Sequence, residues 1–243
     1  MNIIILGASG GIGSTLFSEL SKKHNIFIGS RDPLKIKTLI NDCVAIGTKI
    51  DGCTVEGTSF ESVEKFLKEA ANFLESVDCI INCIGSILLK PAHFTSESEF
   101  DNVLKTNLYS CFAILKYSIQ YMKNDGGNLI FFSSSASKIG LKNHEAIAAA
   151  KGAISSLVTS AASTYSKYNI RINAIAPGLV ETNLTKKITS NPTSLKYSKE
   201  LHGLKKIGKP ENFIPLVNSL IDNRSSWITG QTFTVDGGLS NIK

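Results

Sequence analysis

The chain has 243 residues, 42% of them hydrophobic and 19% charged, enough for one α/β domain that buries its own core without disulfides or a structural metal, and too apolar for a disordered chain. Its five cysteines, Cys43, Cys53, Cys79, Cys83 and Cys111, are odd in number and have no C-x-x-C spacing, which disfavours a disulfide framework or a zinc site and suits reduced, mostly buried thiols. The net charge of +6 comes from residues 183–210, where seven lysines meet one acid, Glu200, and the rest of the chain is balanced, so there is no general nucleic-acid footprint.

Met1 and Asn2 lead straight into an apolar run with no basic leader, and no stretch is long enough for a membrane span. The expectation is a cytoplasmic chain that is neither secreted nor membrane-bound. Short β-branched runs then alternate with amphipathic stretches, the pattern of βα units on a parallel sheet. Strands are expected at residues 3–6, 26–29, 44–49, 79–83, 129–132, 170–175 and 232–235. Seven strands in this alternation predict a single-domain, doubly wound sheet of the Rossmann type over residues 1–243. Asp32-Pro33 opens a helix, Ser96-x-x-Glu99 forms a capping box, and Asn143 stands as a cap before the alanine- and serine-rich helix around residues 146–162. The lysine-rich residues 183–210 lack an apolar period and read as a lid or insertion.

The first strand runs into Gly7-Ala8-Ser9-Gly10-Gly11-Ile12-Gly13. Glycine there permits the tight turn, lets backbone approach a pyrophosphate and packs helix against strand, while the helix start offers free N–H groups. Gly7, Ser9, Gly11, Ile12 and Gly13 are therefore candidate dinucleotide contacts. After the second strand come Ser30 and Arg31. An acid there would accept the ribose 2′-hydroxyl of NAD, whereas a small residue followed by arginine leaves room and charge for the 2′-phosphate of NADP.

Taken with Asn82-Cys83-Ile84-Gly85, Asn107, Ser134, Lys151, Pro177-Gly178 and the closing Val235-Asp236-Gly237-Gly238, the glycine turn gives a chain that resembles the short-chain dehydrogenase/reductase family over nearly its whole length. The resemblance implies that Asp51 and Gly52 flank the adenine and that Asn82, with Ile84 and Gly85 beside it, lies by the cofactor ribose. It further implies that Pro177, Gly178, Val180 and Thr182 meet the nicotinamide end and that Lys151 holds the nicotinamide ribose. Ser134 would polarise a substrate carbonyl, Lys151 would assist proton transfer, and Asn107 would support a water chain. Homo-oligomers, dimers or tetramers, are implied by the resemblance alone.

The family's proton-donating tyrosine would stand four residues before the lysine, where this chain has Ile147. Three readings stay open: a reductase with another proton donor, a nucleotide-binding sensor or partner subunit without hydride transfer, and an enzyme altered from tyrosine to isoleucine. For the first, His144 is the candidate. At about 100° per residue it lies roughly 20° around the helix from Lys151, and its spacing from the lysine matches that of the tyrosine in the family's enoyl-reductase branch. Tyr197 and His202 in the lid are further groups that would reach the centre. The lid's charge suits a small anionic substrate, such as an acyl thioester, alongside neutral carbonyl compounds.

Overall fold

The computed structural model describes residues 1–43 and 47–242. Seven strands, β1 (Asn2–Leu6), β2 (Asn25–Ser30), β3 (Ile50–Thr54), β4 (Cys79–Asn82), β5 (Gly127–Phe132), β6 (Ile170–Pro177) and β7 (Thr232–Val235), form one parallel sheet in the order β3-β2-β1-β4-β5-β6-β7. The helices are α1 (Gly11–Leu20), α2 (Pro33–Asn41), α3 (Phe60–Leu74), α4 (Glu97–Leu104), α5 (Ser110–Met122), α6 (Glu145–Tyr165), α7 (Lys186–Thr189), α8 (Pro192–Leu201) and α9 (Ile214–Ile221). The order reverses between β1 and β4, the switch point at which a doubly wound sheet opens its ligand crevice.

Alternation along the strands divides the core into two layers. Ile4, Phe27, Ile80 and Leu129 pack against α3, α5 and α6 on one face. Ile3, Ile5, Ile26, Ile28 and Ile81 pack against α1, α2 and α9 on the other. Both faces of the central strands are covered, which is why those strands read as unbroken aliphatic runs rather than alternating ones. Asp32 caps α2 by accepting from the amides of Leu34 and Lys35, and Ser96 with Glu99 forms the expected capping box on α4. Among the described residues no helix is long and apolar enough to cross a membrane.

Two expectations are corrected. Of the strand expected at residues 44–49, residues 44–46 lie outside the described residues and 47–49 precede the strand, with the Lys49 carbonyl accepting from the Ile26 amide at 2.9 Å as the pairing begins. The third strand is Ile50–Thr54, held by its register with β2, Ile26 opposite Ile50 and Ser30 opposite Thr54. The cap of α6 is His144, not Asn143, which takes a left-handed φ of 63° just before it.

Candidate active site

The glycine turn is shaped by what lies around it. Gly7 has φ +74°, and a Cβ there would stand 2.7 Å from the backbone of Cys83 and Ile84. At Gly13 a Cβ would stand 2.3 Å from the Gly7 carbonyl oxygen, so α1 rests directly on the β1 turn. At Gly11 it would meet Thr182 Cγ2 at 2.7 Å, which brings the segment after β6 over the start of α1. No side chain caps the first turn of α1, so its leading amides and the positive end of the helix dipole are available to an anion. The cradle that side chains would fill, with an uncapped helix behind it, fits a pyrophosphate.

Ser9 and Ser30 hydroxyls meet at 2.5 Å, tying the glycine turn to the end of β2. Arg31 is exposed just beyond and makes no ion pair or side-chain hydrogen bond among the described residues. The placement implied for Asp51 and Gly52 is corrected by the register of β3: they lie opposite Phe27 and Ile28 in the first half of that strand. Asp51 is exposed and its carboxylate accepts from the Gly52 amide at 2.7 Å. The carboxyl end of β3, the edge where a nucleotide lies, carries Thr54 and the buried Val55 instead. Asn82 is buried, donates to Ser110 Oγ and Cys111 Sγ, and accepts from the Ile84 amide, so its side chain positions the Cys83–Gly85 turn.

A cleft of about 700 Å³ opens at the carboxyl ends of β4, β5 and β6, and Ser134, His144, Ile147, Lys151, Pro177, Gly178, Val180 and Thr182 all line it. Of three adjacent serines, two are engaged elsewhere. Ser133 donates to the Lys151 carbonyl oxygen at 2.8 Å and Ser135 donates to the Asp236 carboxylate at 2.9 Å. Ser134 accepts only from the Ala136 amide, which leaves its O–H free to donate into the cleft. Burial pushes the Asp236 carboxyl up, but the hydrogen bonds from Ser240, Ser135 and Gly238 outweigh this and hold it below the usual range.

Lys151 is buried, and Nζ donates to the Phe132 carbonyl oxygen at 2.8 Å. Burial lowers its pKa to about 8, against a weaker upward pull from the Cys111 and Cys83 thiols. Burial in turn pushes the Cys83 thiol, on the cleft wall, up to about 12, so it stays protonated. Asn107 sits in a π-helical turn, Lys105–Tyr109, between α4 and α5 and is wholly buried. Its amide nitrogen donates to Val103 O and Ser86 Oγ, and its oxygen accepts from the Ser86 amide. A Cβ on Gly85 would stand 3.3 Å from Asn107 Oδ1 and 3.5 Å from Lys151 Nζ, so the two groups flank one point over that glycine.

Ile147 is only 4% exposed and packs with Val103, Ala146 and Ala150. His144 lines the cleft one turn earlier, with Nδ1 2.7 Å from the Lys142 carbonyl oxygen. A carbonyl only accepts, so Nδ1 carries a proton and Nε2 is the nitrogen free to gain or lose one. In residues 183–210, both ring nitrogens of His202 are engaged: Nε2 accepts from the Leu179 amide and Nδ1 meets Ser198 O at 2.6 Å, so neither is left over for a substrate. Tyr197 does line the cleft, at 59% exposure.

Comparison with known proteins adds to this geometry. The family profile described as enoyl-(acyl carrier protein) reductase matches residues 7–240. A tropinone reductase homolog of Arabidopsis thaliana is 29% identical over 98% of this chain and 91% of its own length. An NAD-dependent glycerol dehydrogenase of Listeria innocua is 28% identical over 97% of this chain and 92% of its own. In fold, a short-chain type dehydrogenase/reductase from Mycobacterium ulcerans superposes with a TM-score of 0.92 over 99% of this chain and 90% of its own, at 23% identity.

Proposed function

The chain belongs to the short-chain dehydrogenase/reductase family, and on that premise we propose that it binds NADP and reduces a carbonyl compound, or oxidises the corresponding alcohol, within one domain whose residues 183–210 cover the substrate. The observation that carries this reading is the placement of Ser134 and Lys151 on one cleft, with Asn107 buried behind Gly85 next to the lysine ammonium and a lysine whose proton is labile near neutral pH.

The coenzyme, when bound, supplies the hydride. Gly7, Ser9, Gly11, Ile12 and Gly13 would hold its phosphates, Thr54 and Val55 would border the adenine, and Ser30 with Arg31 would receive the 2′-phosphate. Ile84, Gly85, Pro177, Gly178, Val180 and Thr182 would enclose the nicotinamide end, and Lys151 would grip the adjoining ribose. Ser134 Oγ donates to the substrate oxygen as negative charge develops on it. His144 Nε2 delivers the proton, with Nδ1 steadied by the Lys142 carbonyl. The polar run through Asn107 and Ser86 lies behind Lys151 and suits proton exchange with solvent.

The test is NADPH oxidation across a panel of ketones. Ser134→Ala and His144→Ala are each expected to lower kcat by about 100-fold or more. A second reading, a nucleotide-binding protein that transfers no hydride, is favoured by Ile147, an aliphatic wedge buried in the wall four residues before Lys151. Tight NADPH binding with no turnover across the panel would select that reading.

A further inference from the structure

Resting on the carbonyl-reductase reading, we infer that the substrate is an uncharged, apolar ketone or its alcohol, selected by the inner face of the lid, and that the lysine charge of the lid plays no part in holding it. All seven lysines of residues 183–210 are exposed, and none of them lines the cleft. The segment instead contributes Leu184, Ile188 and Leu201 to the cleft lining, together with Ile87, Leu89 and Ile147 from elsewhere in the chain.

Leu184, Leu201 and Leu89 keep 52%, 38% and 41% of their surface exposed. Scattered exposed leucines mean little, but aliphatic side chains lining one concave space are apolar surface that an occupant would take out of water. The cleft of about 700 Å³ would be shared with the nicotinamide end of the coenzyme, and the part lined by Ile87, Leu89, Leu184, Ile188 and Leu201 is left to the substrate. Its described cations are Lys151, buried at the back against Phe132 O, and Lys142, exposed at the mouth. The first is engaged in the reaction centre and the second is open to solvent screening. An anionic tail inside would therefore lose its water without gaining a buried partner.

The probes are 4-tert-butylcyclohexanone and 4-oxocyclohexanecarboxylate, which share a ring and a carbonyl and differ in charge. Binding to the protein–NADP complex is read by calorimetry and turnover by NADPH absorbance. The uncharged ketone is expected to bind at least tenfold more tightly, and in a series of 4-alkylcyclohexanones each added methylene should tighten binding about fourfold. Leu184→Asp, at a half-exposed position, should weaken the uncharged ketone at least tenfold while leaving NADP affinity unchanged. Lys186→Glu and Lys187→Glu should change neither. Leu201→Asp is the second lid variant if Leu184→Asp fails to fold.

Equal or tighter binding of the carboxylate overturns the inference, as does a loss on reversing the lid lysines without a loss in Leu184→Asp, or no binding of any member of the uncharged series. Binding of the uncharged ketone without turnover supports the inference and overturns the hydride-transfer reading. Turnover confined to the carboxylate does the reverse.

Discussion

Lys151 Nζ donates to the carbonyl oxygen of Phe132 at 2.8 Å, and Ser133 Oγ returns a bond to the carbonyl oxygen of Lys151 at 2.8 Å. The end of β5 and the second turn of α6 are thereby laced together from both sides, which sets Ser134 and the ammonium group on the same cleft wall.

Because burial lowers the Lys151 pKa to about 8 from 10.5, the unfolded chain holds one more proton than the folded chain between those values. Stability should therefore rise with pH across that window, by up to roughly 3 kcal/mol, and the rise should vanish in Lys151→Met. Urea denaturation of both proteins at pH 7.5 and 10 checks this, and an equal pH response in the two would refute it. Lys151→Met should also weaken NADPH binding about tenfold or more.

The glycine turn separates stability from binding. Gly13→Ala places its methyl 2.3 Å from the Gly7 carbonyl oxygen, a backbone clash that should cost about 2–3 kcal/mol in urea denaturation. Gly11→Ala meets Thr182 Cγ2 at 2.7 Å and Cβ at 2.9 Å, a contact relieved by a shift of a few tenths of an ångström in the surface segment after β6 rather than in the β1 turn. It should unfold within about 1 kcal/mol of the parent yet bind NADPH several-fold more weakly, as measured by fluorescence titration.

Arg31 stands exposed beyond the Ser9–Ser30 contact without an ion pair among the described residues. Arg31→Ala should weaken NADPH about tenfold and leave NADH affinity within twofold, since only the former carries the 2′-phosphate. A parent protein with equal affinity for the two coenzymes would remove the NADP assignment.

If His144 carries the proton, a phenol one helical turn from Lys151 should replace it. Ile147→Tyr in a His144→Ala background is expected to restore at least tenfold of the lost kcat and to move the pH inflection upward, toward the phenol range. Unchanged turnover with His144→Ala alone would take the histidine out of the mechanism.

The amino-acid sequence determined by itself what depends on neighbours along the chain. Buried strands such as residues 3–6 and 79–82 announce themselves as aliphatic runs because both of their faces are covered. The Asp32 and Ser96 caps follow from the bonds a side chain makes two or three residues on, and the glycine turn from a backbone that tolerates no Cβ. The tertiary structure alone decided what depends on partners distant in sequence. Strand β3 has the partly exposed pattern of a sheet edge and no apolar run, so only its pairing with β2 fixes it at Ile50–Thr54 and puts Thr54 rather than Asp51 at its carboxyl end. Three consecutive serines are equivalent by composition and all line the cleft, and hydrogen bonds to Lys151 and Asp236 leave Ser134 as the one whose hydroxyl is free to donate among the described residues. Composition counts the seven lysines of residues 183–210, but only the folded chain shows that they point to solvent while Leu184, Ile188 and Leu201 of the same segment line the cleft, because position along the sequence does not record which side chains border a space made by distant segments.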